Sequence, residues 1–247
     1  MAPVPIYQPD ERSKAHHQQE LVQTIINDCP ILHVSFTAPL KSGPPFPTIL
    51  PMLGAIGQSP DDDEPHIYLH GSSVARLFKL TSGGEVALSV CATILDGYVM
   101  ALAPFHNSCN YRSAVAFGYG QLIDDQAEIE FALRLITNNS MPERWENSRS
   151  PPTKVEFEST GVLKVRIETA SAKVRAGGPS DDKPDMTNAD VADKTWVGVV
   201  PAYQTLGEPV AAEYNRVKEV PEYIADWVAD ANSINEQRAI DAMEESG

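Results

Sequence analysis

The strongest constraint on the fold lies between Glu85 and Ile123, where three strand-like stretches follow one another with no helical pattern between them. Glu85 to Thr93 alternates Val86, Leu88 and Val90 with Ala87, Ser89 and Cys91, the two-residue period of a half-buried strand. Tyr98 to Ala103 and Ser113 to Ile123 continue the series, and Gly118 and Gly120 inside the last point to a bulge or a close backbone approach. Further strands are expected at 31–36, 47–56, 66–70, 161–168 and 196–200. Pro47 and Pro51 push the second of these toward a sheet edge or a bulge. The strand–helix alternation of a Rossmann domain is missing, Gly118-Tyr119-Gly120-Gln121 lacks the third glycine of a dinucleotide fingerprint, and there is no Walker loop. The expected class is mainly β with flanking helices, an α+β protein built on an antiparallel barrel.

Helices are expected from Asp10 to just before Pro30, with Leu21, Val22, Ile25 and Ile26 as the apolar stripe, and at 126–138. A last one begins near 220, where Val220, Ile224, Trp227 and Val228 recur at helical spacing. Residues 1–10 read as an extended Pro-rich arm, Pro44-Pro45 as a break, and 177–194 as a mobile Gly, Pro and Asp-rich loop. The implied organisation is an arm at 1–10, a barrel domain at 11–210 and a helical extension at 211–247.

Charge narrows the partners. The net charge of −15, from 19 basic and 34 acidic residues, lacks the basic footprint of a nucleic-acid binder and opposes docking on anionic membranes. The acidic runs Asp61-Asp62-Asp63-Glu64 and Asp181-Asp182 read as solvated loops. Cys29, Cys91 and Cys109 form no disulfide framework and no paired metal motif, and the N-terminus lacks signal-peptide character, so a cytoplasmic protein is expected.

Against that background, one basic segment stands out. Ile67 to Lys79 reads as a strand ending in Gly71-Ser72-Ser73 and feeding a helix. If the helix starts near Ser72, then Ser72, Arg76 and Lys79 line up at i, i+4 and i+7 and suit a phosphate, Arg gripping its oxygens bidentately. A capped helix with solvated cations explains the same residues. A second polar cluster, Pro104 to Ser113, joins two apolar strands. Asn110, Tyr111 and Arg112 there would suit the polar edge of a flat heterocycle, or a loop held by its own hydrogen bonds with Arg112 paired to an acid. His106-x-x-Cys109 is too little for a structural metal, and no Gly-x-Ser-x-Gly elbow is present. His70 ends the strand beside the first segment, as a ligand contact or a hydrogen-bonded structural residue.

Leu69-His70-Gly71-Ser72-Ser73 with Arg76, Asp96-Gly97, Asn110-Tyr111-Arg112-Ser113, Ala170 to Arg175 and Trp196 to Pro201 occur in an order and spacing that resembles the pyridoxamine 5′-phosphate oxidase-like split barrels, in their flavin-nucleotide-binding branch. The resemblance implies a six-stranded split β-barrel, usually a homodimer, with FMN at the subunit interface. It assigns Ser72, Ser73, Arg76 and Lys79 to the flavin phosphate. The ring would lie along the strand near Leu69, His70 and Gly71, with Asn110, Tyr111, Arg112 and Ser113 lining the same pocket. Lys173 and Arg175 would approach from the later strand, and Trp196 would close the site. The family's functions keep three readings open: an FMN-dependent oxidoreductase acting on a small molecule, a haem-binding or haem-processing barrel using His70 or His106, and a non-catalytic FMN-binding protein.

Overall fold

The computed structural model describes residues 12–38 and 46–244; the expected arm at 1–10, the helix start at Asp10 and the break at Pro44-Pro45 fall outside them. The chain divides into two compact units, the first comprising 1–93 and 113–172, the second 94–112 and 173–247.

The first unit opens with helix α1 (Arg12–Asp28). Val22, Ile25 and Ile26 of its stripe are buried. Asn27 fixes the helix to strand β3 (Gly54–Gly57): its Oδ1 accepts from Ile56 N at 2.7 Å and its Nδ2 donates to Ile56 O at 3.1 Å. Strand β1 (Leu32–Thr37) pairs with β2 (Pro47–Met52) on one side and β5 (Val86–Met100) on the other. The single strand expected at 47–56 is two. The chain turns at Leu53, so that β2 follows β1 while β3 follows β4 (His66–Ser72). Gly54 makes the turn possible, since a β-carbon there would lie 2.7 Å from the Tyr68 carbonyl oxygen.

The remaining strands are β6 (Ser108–Leu122), β7 (Thr160–Arg175) and β8 (Gly198–Pro201). The sheet runs β2-β1-β5-β6-β7-β4-β3 with β8 on β5, so it is open, with proline-bearing β2 at one end as expected. Eight strands stand where the resemblance implies six. Gly118 is the predicted close approach, because a β-carbon there would collide with the Arg166 carbonyl oxygen. Helix α3 (Gln126–Ser140), begun by Asp125 accepting from Glu128 N, packs Ala132 and Ile136 onto Ala55, Tyr68 and Val162. Helix α2 (Arg76–Thr81) follows β4, and α4 (Lys154–Ser159), absent from the sequence reading, is closed by a Thr153–Glu156 capping box.

In the second unit the structure corrects two expectations. Glu85 to Thr93 and Tyr98 to Ala103 are expected as separate strands, but β5 runs straight through the residues between them, with Gly97 paired to Pro201 and Asp96 buried. The loop expected at 177–194 holds two short helices, α5 (Lys183–Thr187) with Pro184 in its first turn and α6 (Ala189–Ala192) capped by Asn188. Helix α7 (Glu222–Glu244) forms where expected. Asn232 on α7 grips both polar groups of the Leu206 backbone, accepting from N at 2.7 Å and donating to O at 2.9 Å. Among the described residues no helix is long and apolar enough to cross a membrane.

Candidate functional site

In the first unit, β4 carries the chain to the proposed anion site. Gly71 of β4 and Gly161 of β7 are register partners, so their missing side chains leave one gap on one sheet face. The ring of Phe78 from α2 fills it, coming within 2.9 Å of where a Gly71 β-carbon would stand and occupying the space of one at Gly161. This seats α2 directly over the end of β4.

The helix does not start near Ser72. Ser72 still belongs to β4, paired with Thr160, and a turn closed by Ala75 N donating to Ser72 O at 2.9 Å intervenes. The helix begins at Arg76, with Ala75 supplying no side-chain cap. The i, i+4, i+7 alignment is therefore replaced by a strand end carrying Ser72 and a helix carrying Arg76 and Lys79, all three exposed. Ser73 is used differently: its N–H donates to Ser159 O at 3.0 Å and its hydroxyl to Glu158 O at 3.1 Å, tying the turn to α4. The Leu69 side chain is completely buried in the core, so only its backbone could meet a ligand. His70 is half-buried and, among the described residues, its imidazole has no hydrogen-bond partner. Its burial pushes the imidazole below its ordinary pKa of 6.5, holding it neutral near pH 7.

In the second unit the polar cluster is occupied by the protein itself. Ser108 to Arg112, read as a loop, is the start of β6, and the connection shrinks to a 3-10 turn at Pro104–His106. Asn110 is fully buried. Its Nδ2 donates to Gly177 O at 3.1 Å and to Ala242 O at 3.0 Å, while its Oδ1 accepts from Arg175 Nη1. Arg112 clasps the buried Asp96 bidentately, Nε and Nη2 each 2.9 Å from a carboxylate oxygen. Of the two readings of this cluster, self-hydrogen-bonding describes Asn110, Arg112 and Arg175. Tyr111 is half-buried with Lys173 Nζ 5.8 Å from its ring centroid, and Trp196 is exposed. His106 lies between two acids, Nδ1 3.8 Å from Asp181 and Nε2 3.9 Å from Asp182. Asp181 is no solvated loop residue, since it also accepts from Leu102 N at 2.9 Å.

Ser113 is half-buried at the first unit's boundary. That unit also contains a charge network that the sequence did not reveal. Lys164 Nζ lies 2.5 Å from Asp62 and 2.7 Å from Glu128, and the buried Tyr68 hydroxyl donates to Asp62 at 3.0 Å. Asp62, read as part of a solvated acidic run, is the centre of it. Burial opposes its ionisation, but the hydrogen bonds from Lys164 and Tyr68 outweigh burial and set its pKa below the ordinary 3.8. Burial likewise works against the Lys164 charge, and its two carboxylate partners raise its pKa above the ordinary 10.5. A cavity of about 200 Å³ lies nearby, lined by Gln18, Val22, Gln23, Ile56, Glu64 and Ile167 among others; none of the residues read as ligand-binding lines it.

The donor set at the end of β4 fits an anionic group, with an exposed hydroxyl and two exposed cations around a glycine-bearing strand end. The family whose profile is described as pyridoxamine 5′-phosphate oxidase matches residues 18–174, and the chain belongs to it. Its fold is the split barrel of that family. The chain is similar to the flavocytochrome Anf3 from Azotobacter vinelandii, at 31% identity over 88% of this chain and 97% of that one, with a TM-score of 0.66. It is also similar to the FAD and heme binding protein from Mycobacterium smegmatis, at 26% identity over 85% and 94%, with a TM-score of 0.68. No curated protein matches.

Proposed function

We propose that this protein binds a flavin nucleotide, FMN, through the β4–α2 turn and uses it in an oxidoreductase reaction on a small molecule, as a homodimer with the flavin at the subunit interface. The observation that carries the reading is the outward set of Ser72, Arg76 and Lys79, seated by the Phe78 ring over the Gly71–Gly161 gap. Membership of the oxidase family and the flavin-binding relatives support it. Arg76 grips the phosphate, Ser72 donates its hydroxyl, and Lys79 adds charge from one turn along. Ser113 offers a hydroxyl from the same unit. Asn110, Arg112 and Arg175 hold the backbone of the second unit. The flavin supplies the hydride or electron transfer.

A haem at His70 is the second reading. A neutral imidazole with no hydrogen-bond partner among the described residues is the form in which histidine ligates a metal. The two relatives are a flavocytochrome and a protein that binds FAD and haem. His106, held between two carboxylates, is the weaker choice.

Absorbance titration of the purified protein with FMN, FAD and haemin tests both. Saturable flavin uptake that weakens in Arg76→Ala is the expected result, and wild-type affinity in that variant rejects the phosphate assignment. A Soret band abolished by His70→Ala but not by His106→Ala supports the second reading. Tight flavin binding without reduction by NADH or NADPH, and without turnover of any tested substrate, would favour a non-catalytic flavin carrier.

A further inference from the structure

Every residue from 207 to 221 is exposed, yet the stretch is not a polar loop. Val210 and Tyr214 stand 93% and 87% exposed, and Val217 and Val220 are exposed too. The stretch is held at both ends. Asn232 grips both polar groups of Leu206 just before it, and the Pro221 carbonyl accepts from Ile224 and Ala225 in the first turn of α7. Its middle is shaped by Asn215, whose side chain donates to Val217 O and accepts from Val217 N. It is a tethered arm that turns its apolar residues outward, which costs solvation unless something covers them.

The same unit presents an uncovered apolar strip. Tyr98 and Val200 are register partners on β5 and β8, so their exposed side chains share a face, and Met100 follows two residues along. Trp196 extends the strip by lying over Gly198, where a β-carbon would come within 2.6 Å of its ring; Gly198 has φ +155°, a conformation open to glycine.

We propose that the 207–221 arm of one copy of this chain lies on the Tyr98–Met100–Trp196–Val200 strip of a second copy, the exchange being reciprocal. The proposal rests on the homodimer of the preceding reading, and its arm lies outside the residues matched by the family, which end at 174. Two observations select a second copy as the occupant. Arm and strip are both uncovered on one chain, the self-complementary condition for closed two-fold assembly. In addition, the arm holds Arg216 and Lys218 against Glu208, Glu213 and Glu219, nearly balanced in a chain of net charge −15, so it is a part that two such acidic copies can bring together. Tyr214 offers about 200 Å². A reciprocal exchange doubles that contribution toward the roughly 1,000 Å² at which specific interfaces begin.

The test is the mass of the full chain by sedimentation equilibrium, with flavin affinity measured in parallel. Wild type is expected to be a dimer, and Val210→Asp with Tyr214→Asp a monomer of unchanged far-UV circular dichroism. A dimer that survives both substitutions overturns the arm while leaving the homodimer standing; a monomeric wild type overturns both. Because surface aspartates could act indirectly, a second measurement mixes Tyr214→Cys protein with Tyr98→Cys protein under mild oxidation. An interchain disulfide that neither variant forms alone is expected, and its absence overturns the proposal. Loss of flavin binding with the cross-link intact would reject the flavin reading and leave the arm in place.

Discussion

The end of β4 and the start of β6 look alike as sequence, each a short polar run beside apolar strands, and they differ in where the polar groups go. At β4 the Ser72 hydroxyl and the Arg76 and Lys79 cations face outward. At β6 Asn110 makes three side-chain hydrogen bonds inside the protein, and Arg112 spends two N–H groups on Asp96. A polar cluster in an apolar setting reports a demand for hydrogen bonds. Whether a ligand or the protein's own backbone makes the demand depends on burial, and burial is not written locally in the chain.

The largest expected effect that could break this contrast is in Arg112→Ala. It leaves the buried Asp96 carboxylate unpaired and should cost about 3–5 kcal/mol in denaturant-unfolding stability. A variant that loses flavin affinity at wild-type stability would instead return Arg112 to the ligand. Asn110→Ala strands the Gly177 and Ala242 carbonyls and the Arg175 guanidinium, for a loss of roughly 2–4 kcal/mol by the same measurement. Arg76→Ala should do the reverse: stability within about 0.5 kcal/mol of wild type, and a flavin Kd raised by roughly 10- to 100-fold for the loss of one charge-assisted pair. Acid titration tests the partners of Asp62. Its folded pKa lies below the ordinary 3.8, so its contribution is complete above that value and disappears as pH falls through the lower folded one. Asp62→Asn should therefore flatten the acid limb of the stability profile. Lys79→Ala is the smallest, a few-fold weakening of flavin at low salt that fades at high salt, because an exposed cation one turn away acts through screened charge.

Much of the frame was legible from periodicity and punctuation. The stripe of α1, the place of β2 at a sheet end and the course of α3 and α7 all follow from spacing and proline. So did the close approach at Gly118, where an absent side chain is itself the signal. What stayed hidden depends on partners distant in the chain. Asp96-Gly97 falls between two expected strands, but pairing with β8, about a hundred residues on, joins them into one. Ser72 is a good N-cap by composition, but Thr160 claims it for the sheet. Asp62 sits in an acidic run, and its meaning is decided by Lys164, which no local pattern names as its partner. In the candidate site, the exposed polar character of Ser72 and Arg76 was readable; the inward duties of Asn110 and Arg175 required the fold.

Gly71, Gly161 and Phe78 carry one further implication. The position of α2, and with it of Arg76, is encoded by a volume that two distant residues leave empty and a third fills. None of the three can change alone without moving the helix. In a lineage of such proteins they should be inherited as a single character, a larger residue on either strand appearing only where the aromatic ring has shrunk.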